Sequence, residues 1–389
     1  MEPVSGSIRE QIWIEKPVQP RRGHASGRFL GGRGRPAFTS RTGFGTDFKG
    51  GKQTGEMTTV ERLADRFGRV HTSLRIGVTD RCNIRCVYCM PAERVQFKPR
   101  AELLTFEEIE RFVRLLVPLG VTRLRITGGE PLLRADLPVL VRKLAAIGGV
   151  TDIAMTTNGL RLAEHAAELK EAGLQRLNIS LDGLSESTFQ RIAQRRGLDR
   201  VLEGIRVAQS LGFQKLRINA VALPGITEPE IVPLGRFARR EGLELRFIEF
   251  MPLGAARPWD AEQVLSGAAT RARLESAFGP LRPAPRDDPS QPAVDYEFAD
   301  GVGRIGLINP VTEPFCTTCD RLRISAEGQV RNCLFSDVEW DARELLRGGA
   351  DDAGIVALVR ECVQAKKTGR GSDSLGFVAP GRAMHELGG

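Results

Sequence analysis

The chain has 389 residues, 41% of them hydrophobic, and a formal net charge of +8. That length holds one large domain or two smaller ones, and no apolar run approaches the length a membrane-spanning helix requires. Residues 1–56 carry ten Lys or Arg against five acids, +5, which leaves +3 over the other 333 residues, so the bulk of the chain lacks the basic footprint of a nucleic-acid binder.

Residues 1–56 read as an unstructured basic extension. Glycine and arginine recur there without apolar periodicity, as in Leu30-Gly-Gly-Arg-Gly-Arg-Pro. Glu2, Glu10 and Glu15 count against an organellar transit peptide, and no apolar core of a signal peptide is visible. Met57 is therefore a candidate native start. From Leu74 onward, strands are expected at 74–78, 123–127, 152–156, 176–181, 215–223 and 245–250, with helices between them. The clearest helix opens on a capping box, Thr105 with Glu108, and carries Ile109, Phe112, Val113 and Leu116 on one face. Strands alternating with helices argue for parallel βαβ units. The expected fold is α/β, a partial (β/α)6 TIM-like barrel whose active site lies at the C-terminal strand ends. After Met251 the pattern changes. Residues 280–292 are Pro-rich and read as loop, a hairpin turns at Glu327-Gly328, and a helix covers 353–365. In that helix Ile355, Leu358, Val359, Cys362 and Val363 form one stripe, so Cys362 reads as a core thiol.

Seven cysteines are present, and six fall in two sets, which points to metal binding in a reducing compartment and not to a secreted disulfide framework. Cys82, Cys86 and Cys89 form C-x3-C-x2-C just past the first strand. Three thiolates hold three irons of a four-iron cluster and leave one open to a small molecule; the alternatives are a partial zinc knuckle or three unrelated thiols. Cys316, Cys319 and Cys333 form C-x2-C-x13-C, again three thiolates, with a zinc ribbon as the alternative. Between them, Arg321 and Arg323 share one side of a strand, a pairing suited to phosphate.

Tyr88 beside Cys89, Gly128-Gly129-Glu130-Pro131, Asn178-Ile-Ser180-Leu-Asp182 and Phe250-Met251-Pro252 together resemble the radical S-adenosylmethionine superfamily. The second cysteine set, Arg321-Leu322-Arg323 and the final Gly388-Gly389 narrow the resemblance, from about Met57 onward, to its GTP 3′,8-cyclase family of molybdenum cofactor biosynthesis. The resemblance implies two 4Fe–4S clusters, held by Cys82, Cys86 and Cys89 and by Cys316, Cys319 and Cys333, with S-adenosylmethionine on the first. Tyr88, Gly129, Ser180 and Met251 would surround S-adenosylmethionine; Arg75, Arg125, Thr156, Arg217, Arg321, Leu322 and Arg323 would bind GTP. The family has lysine where this chain has Arg217, and Lys215, two residues away, could share that role; the chain holds 47 arginines and nine lysines. The implied chemistry is hydrogen abstraction from ribose C3′ and closure onto purine C8. The implied organisation is residues 57–254 as the radical barrel and 255–389 as the second-cluster and substrate region, with a Gly-Gly tail reaching the pocket. Implied partners are GTP, a reductant or electron-donor protein, a homodimer and the downstream cyclic pyranopterin monophosphate synthase, with no nucleic acid or membrane and a cytoplasmic location. Two rival readings stay open: a peptide-modifying radical S-adenosylmethionine enzyme with auxiliary clusters, and a zinc protein binding RNA through its basic tail.

Overall fold

The computed structural model describes residues 61–90, 95–251, 253, 264–286, 288–369 and 381–388. All of them lie in the unit Thr58–Gly389; the expected basic extension, Met57 and Gly389 lie outside the described residues. The strands β1 (Ser73–Gly77), β2 (Arg123–Thr127), β3 (Asp152–Thr157), β4 (Arg176–Ser180), β5 (Lys215–Ala222) and β6 (Glu244–Glu249) alternate with helices α1 (Phe106–Leu116), α2 (Leu137–Ala145), α3 (Leu162–Glu171), α4 (Glu186–Ala193), α5 (Leu198–Ser210) and α6 (Ile231–Glu241). Each expected strand is found within one residue or so at either end. The capping box of α1 forms as read: Thr105 Oγ1 accepts from the Glu108 N–H, and the Glu108 carboxylate accepts from the Thr105 N–H.

Beyond β6 come α7 (Gly267–Phe278), β7 (Leu281–Pro283), β8 (Val294–Phe298), β9 (Arg304–Ile308), β10 (Arg321–Ile324), β11 (Gln329–Arg331), β12 (Trp340–Asp341), α8 (Ala342–Arg347), α9 (Asp352–Gln364) and α10 (Met384–Leu387). All twelve strands join one sheet in the order β12-β11-β10-β1-β2-β3-β4-β5-β6-β9-β8-β7. Pairing is parallel from β10 through β9, and the two outermost pairings at each edge are antiparallel. The barrel sheet is therefore larger than six strands, because the C-terminal region adds a parallel strand on each side. Residues 281–283, expected as loop, form an edge strand instead. Proline is tolerated there because an edge position needs no donor on its outer side.

Alternation explains the layering. Leu74, Ile76, Leu124, Ile126, Met155, Leu177, Ile179, Leu245, Phe247, Leu322 and Ile324 are buried in one continuous apolar core with the helices. Their neighbours point to the opposite face, and that face is unusually polar for a parallel sheet, which normally reads as a near-continuous apolar run. It carries Arg75, Arg125, Thr156, Asn178, Ser180, Asn219, Arg246, Arg321 and Arg323. Cys362 on α9 is fully buried in the core, as its stripe predicts.

Candidate active site

A cavity of about 310 Å³ opens on the polar face of the sheet, and all six clustered cysteines line it. Tyr88, Gly129, Ser180 and Met251 line it too, as do Arg75, Arg125, Thr156, Arg321 and Arg323. Two residues expected at this site are not on the wall. Leu322 points the other way into the apolar core, as alternation between two inward arginines requires. Arg217 lies deeper, where its Nε donates to Glu244 at 2.5 Å, and Lys215 is exposed at the start of β5.

The first cysteine loop is fixed by backbone bonds to the end of α4: the Arg85 N–H donates to the Ala193 carbonyl (2.9 Å) and the Val87 N–H to Ile192 (3.0 Å). Its base is stitched to the Gly-Gly-Glu-Pro turn through Gly129 N–H to Thr79 O (2.7 Å) and Glu130 N–H to Arg81 O (2.8 Å). A Cβ at Gly129 would stand 2.3 Å from the Arg81 carbonyl oxygen. What this glycine admits is the protein's own cysteine-loop backbone. Glu130 is buried and receives Thr157 Oγ1 and the Asn158 N–H, each at 2.7 Å, so it orients Asn158, whose amide lies 3.8 Å from Cys82 Sγ. Tyr88 donates to Asp182 at 2.7 Å. Burial raises the Asp182 carboxyl to about 6 against that hydrogen bond and one from Val221.

Cys319 of the second set sits in a field opposite to that around the first set. Burial pushes the thiols of Cys82 and Cys89 up to about 11 and about 12 and raises Cys86 as well; Glu130 adds to the effect at Cys82, and Cys89 and then Asp182 add to it at Cys86. Thiolates there require a compensating cation, as a cluster's irons supply. At Cys319 burial also opposes ionisation, but Arg321 and Lys366 outweigh it and the thiol falls to about 6. Arg321 Nε donates to Cys319 Sγ at 3.2 Å. Among the described residues no three Cys, His, Asp or Glu side chains are grouped to hold a single metal ion.

Between the sets stands a cluster of guanidiniums. Arg75 and Arg323 are register partners on β1 and β10, and Arg75 and Arg125 on β1 and β2. The charges that bear most on Arg125 after its burial are arginines: Arg75, Arg176, Arg246 and Arg217. Burial followed by like charge likewise depresses Arg75 and takes Arg323 to about 9. Guanidinium stays protonated in proteins, so these shifts express an unrelieved positive field that an anion would relieve. Arg246 and Asn219 are among the cavity residues not picked out from sequence. Arg246, hidden inside the run 245–250, is buried and donates to Gln291 Oε1 at 3.1 Å. The Oδ1 of Asn219 is buried and has no hydrogen-bond partner among the described residues. A charged residue facing inward from a parallel strand was the available signal for Arg246. The tail also reaches the cavity. Met384 and His385 line it, and the Gly388 carbonyl accepts from Arg323 Nη1 at 2.5 Å. Gly388 has φ +69°, and a Cβ there would lie 2.7 Å from Thr127 Cγ2.

A partly open parallel barrel with a three-cysteine loop beyond its first strand defines a radical S-adenosylmethionine protein, and residues 76–238 match the Radical SAM superfamily. Residues 243–371 match Molybdenum Cofactor Synthesis C. The chain is 51% identical over 336 residues to the GTP 3′,8-cyclase of Rhodopirellula baltica, covering 86% of this chain and 94% of that protein. It is 43% identical over 337 residues to the GTP 3′,8-cyclase of Corynebacterium glutamicum, covering 84% and 89%. The chain belongs to the GTP 3′,8-cyclase family. Among solved structures, Streptococcus suis SuiB bound to S-adenosylmethionine aligns with a TM-score of 0.52 at 15% identity, over 74% of this chain and 68% of that one. SuiB bound to its precursor peptide SuiA aligns with 0.53 at 17%, over 77% and 69%. These two likenesses concern the fold alone.

Proposed function

We propose that this chain is a radical S-adenosylmethionine GTP 3′,8-cyclase. It converts GTP to (8S)-3′,8-cyclo-7,8-dihydroguanosine 5′-triphosphate, the first step of molybdenum cofactor biosynthesis. The observation that carries the reading is one cavity lined by two three-cysteine sets with Arg75, Arg125, Arg246 and Arg323 between them. The donor sets fit two 4Fe–4S clusters, one on Cys82, Cys86 and Cys89 and the other on Cys316, Cys319 and Cys333. When bound, the first cluster and S-adenosylmethionine supply reductive radical chemistry directed at ribose C3′.

The chain's own residues orient and shield. Residues 57–254 form the S-adenosylmethionine part, where Tyr88, Gly129, Ser180 and Met251 border the cofactor and Asp182 holds the Tyr88 hydroxyl. Residues 255–389 contribute the second cysteine set and, with β1, β2 and β6, the anion site. Arg75, Arg125, Arg323 and Arg246 hold the triphosphate, Thr156 borders the nucleoside, and Arg321 lies between phosphate and second cluster. Arg246 takes the cationic role expected of Arg217, since it lines the cavity and Arg217 does not; its carboxylate neighbour, Asp295, stands 3.8 Å away, against 2.5 Å for the Arg217–Glu244 pair. Positioning dominates the catalysis, because a carbon radical takes whichever hydrogen lies nearest. Electrons are consumed, so a one-electron donor belongs to the reading. The homodimer and the downstream synthase rest on family resemblance. Seven free cysteines support a reducing, cytoplasmic setting, and among the described residues no helix is long and apolar enough to cross a membrane.

The test is anaerobic incubation of the reconstituted chain with S-adenosylmethionine and a strong reductant, with and without GTP. GTP-stimulated 5′-deoxyadenosine with consumption of GTP supports the reading. Equal deoxyadenosine without GTP, and no loss of GTP, overturns the substrate assignment.

A further inference from the structure

Behind the second cysteine set lies a buried polar cluster that the proposed chemistry has not used. Lys366, one of nine lysines, is 3% exposed, and His71 is fully buried. They come from opposite ends of the described chain. Lys366 follows the last turn of α9, where its N–H donates to the Val363 carbonyl (3.0 Å); His71 precedes β1, where its N–H donates to the Leu63 carbonyl (2.8 Å). His71 Nδ1 lies 3.0 Å from the Arg69 carbonyl. A carbonyl only accepts, so Nδ1 carries the proton and Nε2 is left as an acceptor. Lys366 Nζ sits 3.0 Å from that Nε2, 2.9 Å from the Arg321 carbonyl and 3.6 Å from Cys319 Sγ. Three acceptors surround one nitrogen, which is the complement of an ammonium's three protons.

Hydrogen bonds from Arg69 frame this lysine. Arg69 donates from Nη1 to the Cys316 carbonyl (2.8 Å) and from Nη2 to the Lys367 carbonyl (2.7 Å). It thus ties the cysteine loop to the segment that carries Lys366, and its own Nε is held by Asp65 at 2.6 Å. Cys319 therefore receives two charge-assisted contacts, from Arg321 Nε on the cavity side and from Lys366 on the side away from it.

We propose that Lys366 is a positioning residue of the second cluster: aimed by His71, its ammonium donates to the Cys319 thiolate and raises the reduction potential of the cluster that Cys319 ligates. The inference rests on the second-cluster reading given above. Its physical basis is that a reduced cluster is one charge more negative than the oxidised one. A fixed cation at a ligand sulfur stabilises the reduced form more, and hydrogen bonds to cluster sulfurs tune potential. A charge-assisted hydrogen bond that favours the reduced state, at the low end of its usual worth, shifts the reduced-to-oxidised ratio about tenfold.

The experiment uses the full-length chain carrying Cys82→Ala, Cys86→Ala and Cys89→Ala, in which only the second cluster can assemble. Iron and sulfide are quantified after anaerobic reconstitution, and the midpoint potential is measured by redox titration followed by electron paramagnetic resonance. Lys366→Met is expected to keep the iron and lower the potential by about 59 mV, the equivalent of tenfold for a one-electron couple. Lys366→Arg, which retains the charge, is expected to lie nearer the parent, and His71→Leu to shift in the direction of Lys366→Met by less. Loss of iron in Lys366→Met with retention in Lys366→Arg also supports the inference. Loss in both, with the chain still folded by circular dichroism, makes Lys366 a packing residue and overturns it. An unchanged potential in an iron-loaded Lys366→Met variant overturns this inference alone. A parent triple variant that binds no iron overturns the second-cluster reading, and this inference with it.

Discussion

Glu249 offers the sharpest test of how the barrel holds the second cysteine set. Its carboxylate is buried at the end of β6, and its hydrogen-bond partners among the described residues are neutral. Oε1 accepts from the Gly267 N–H (3.0 Å) and from Thr312 Oγ1 (2.5 Å), and Oε2 accepts from the N–H groups of Val311 and Thr312, both at 3.0 Å. Gly267 is the first residue of α7, so the charge also faces a helix N-terminus. Residues 311 and 312 lead directly to Cys316. Glu249→Gln keeps the shape and removes the charge. The amide nitrogen has one tolerable position, at Oε1, where the Thr312 hydroxyl can turn to accept from it; only the Gly267 N–H is then left unpaired. An orphaned buried donor costs about 1–3 kcal/mol, and weakening the remaining charge-assisted bonds adds about 1 kcal/mol, for roughly 2–4 kcal/mol in all. A unit the size of Thr58–Gly389 loses about 0.7 kcal/mol per degree near its melting point, so the apo chain should melt about 3–6 °C lower. In the triple variant lacking Cys82, Cys86 and Cys89, bound iron should fall, whereas iron on the first set of an otherwise intact chain should not. A melting point and second-set iron content indistinguishable from wild type would refute the claim that this carboxylate organises the loop.

Arg125→Met should raise the KM for GTP by about 10–150-fold, the worth of one charge-assisted contact to phosphate, while S-adenosylmethionine binding measured by calorimetry stays within about twofold; Lys215→Ala, at an exposed position, should change neither. Gly388→Ala places a side chain at φ +69° and 2.7 Å from Thr127 Cγ2. Left-handed strain alone costs about 1–2 kcal/mol, so the docked tail should be depopulated by about 5–30-fold, read as faster proteolysis after Arg382 and a lower kcat with little change in melting temperature. His71 sets a pH limit. Burial first, then the Lys366 charge, lowers its imidazole from 6.5 to about 4. A group whose folded value is depressed makes the unfolded chain bind more protons between the two values, so stability is complete above about 6.5 and falls as pH drops toward 4. The linkage is roughly 3 kcal/mol, and urea midpoints of the apo chain at pH 7 and pH 4.5 should show this loss reduced in His71→Leu.

What the sequence disclosed and what it hid follow from the range of the forces involved. The strands were legible because each carries apolar residues on one face, Leu74 and Ile76 or Leu124 and Ile126, and period-two alternation is a local signal. The cysteine sets were legible by spacing. The edge strand Leu281–Pro283 was not, since its proline signals loop and its strand character comes from pairing with β8. Arg246 was concealed by the apolar residues around it, although its inward direction was implied by β6. The inwardness of Arg217 was legible as well, but not its partner: Glu244 belongs to the next strand, and that register is set by folding. Lys366 and His71 had no local signal at all, being single residues 295 positions apart that meet only behind Cys319.

The pairing of β10 with β1 is the step on which the site depends. Ser73 aligns with Arg321 and Arg75 with Arg323, so both arginines of β10 face the cavity and Leu322 joins Leu74 in the core. A slip of one residue would reverse every direction: Leu322 would enter the polar cavity and two guanidiniums would be driven into the apolar layer under the helices. The cost of burying unpaired charge there is several kcal/mol each, which is why the register is unambiguous. The same pairing fixes Cys319 two residues before Arg321, beside the Arg75–Arg323 pair, and it carries the Arg321 carbonyl to Lys366. The hydrophobic pattern of one short strand thereby determines where the arginine cluster, the second cysteine set and the lysine behind it lie relative to the first cysteine loop.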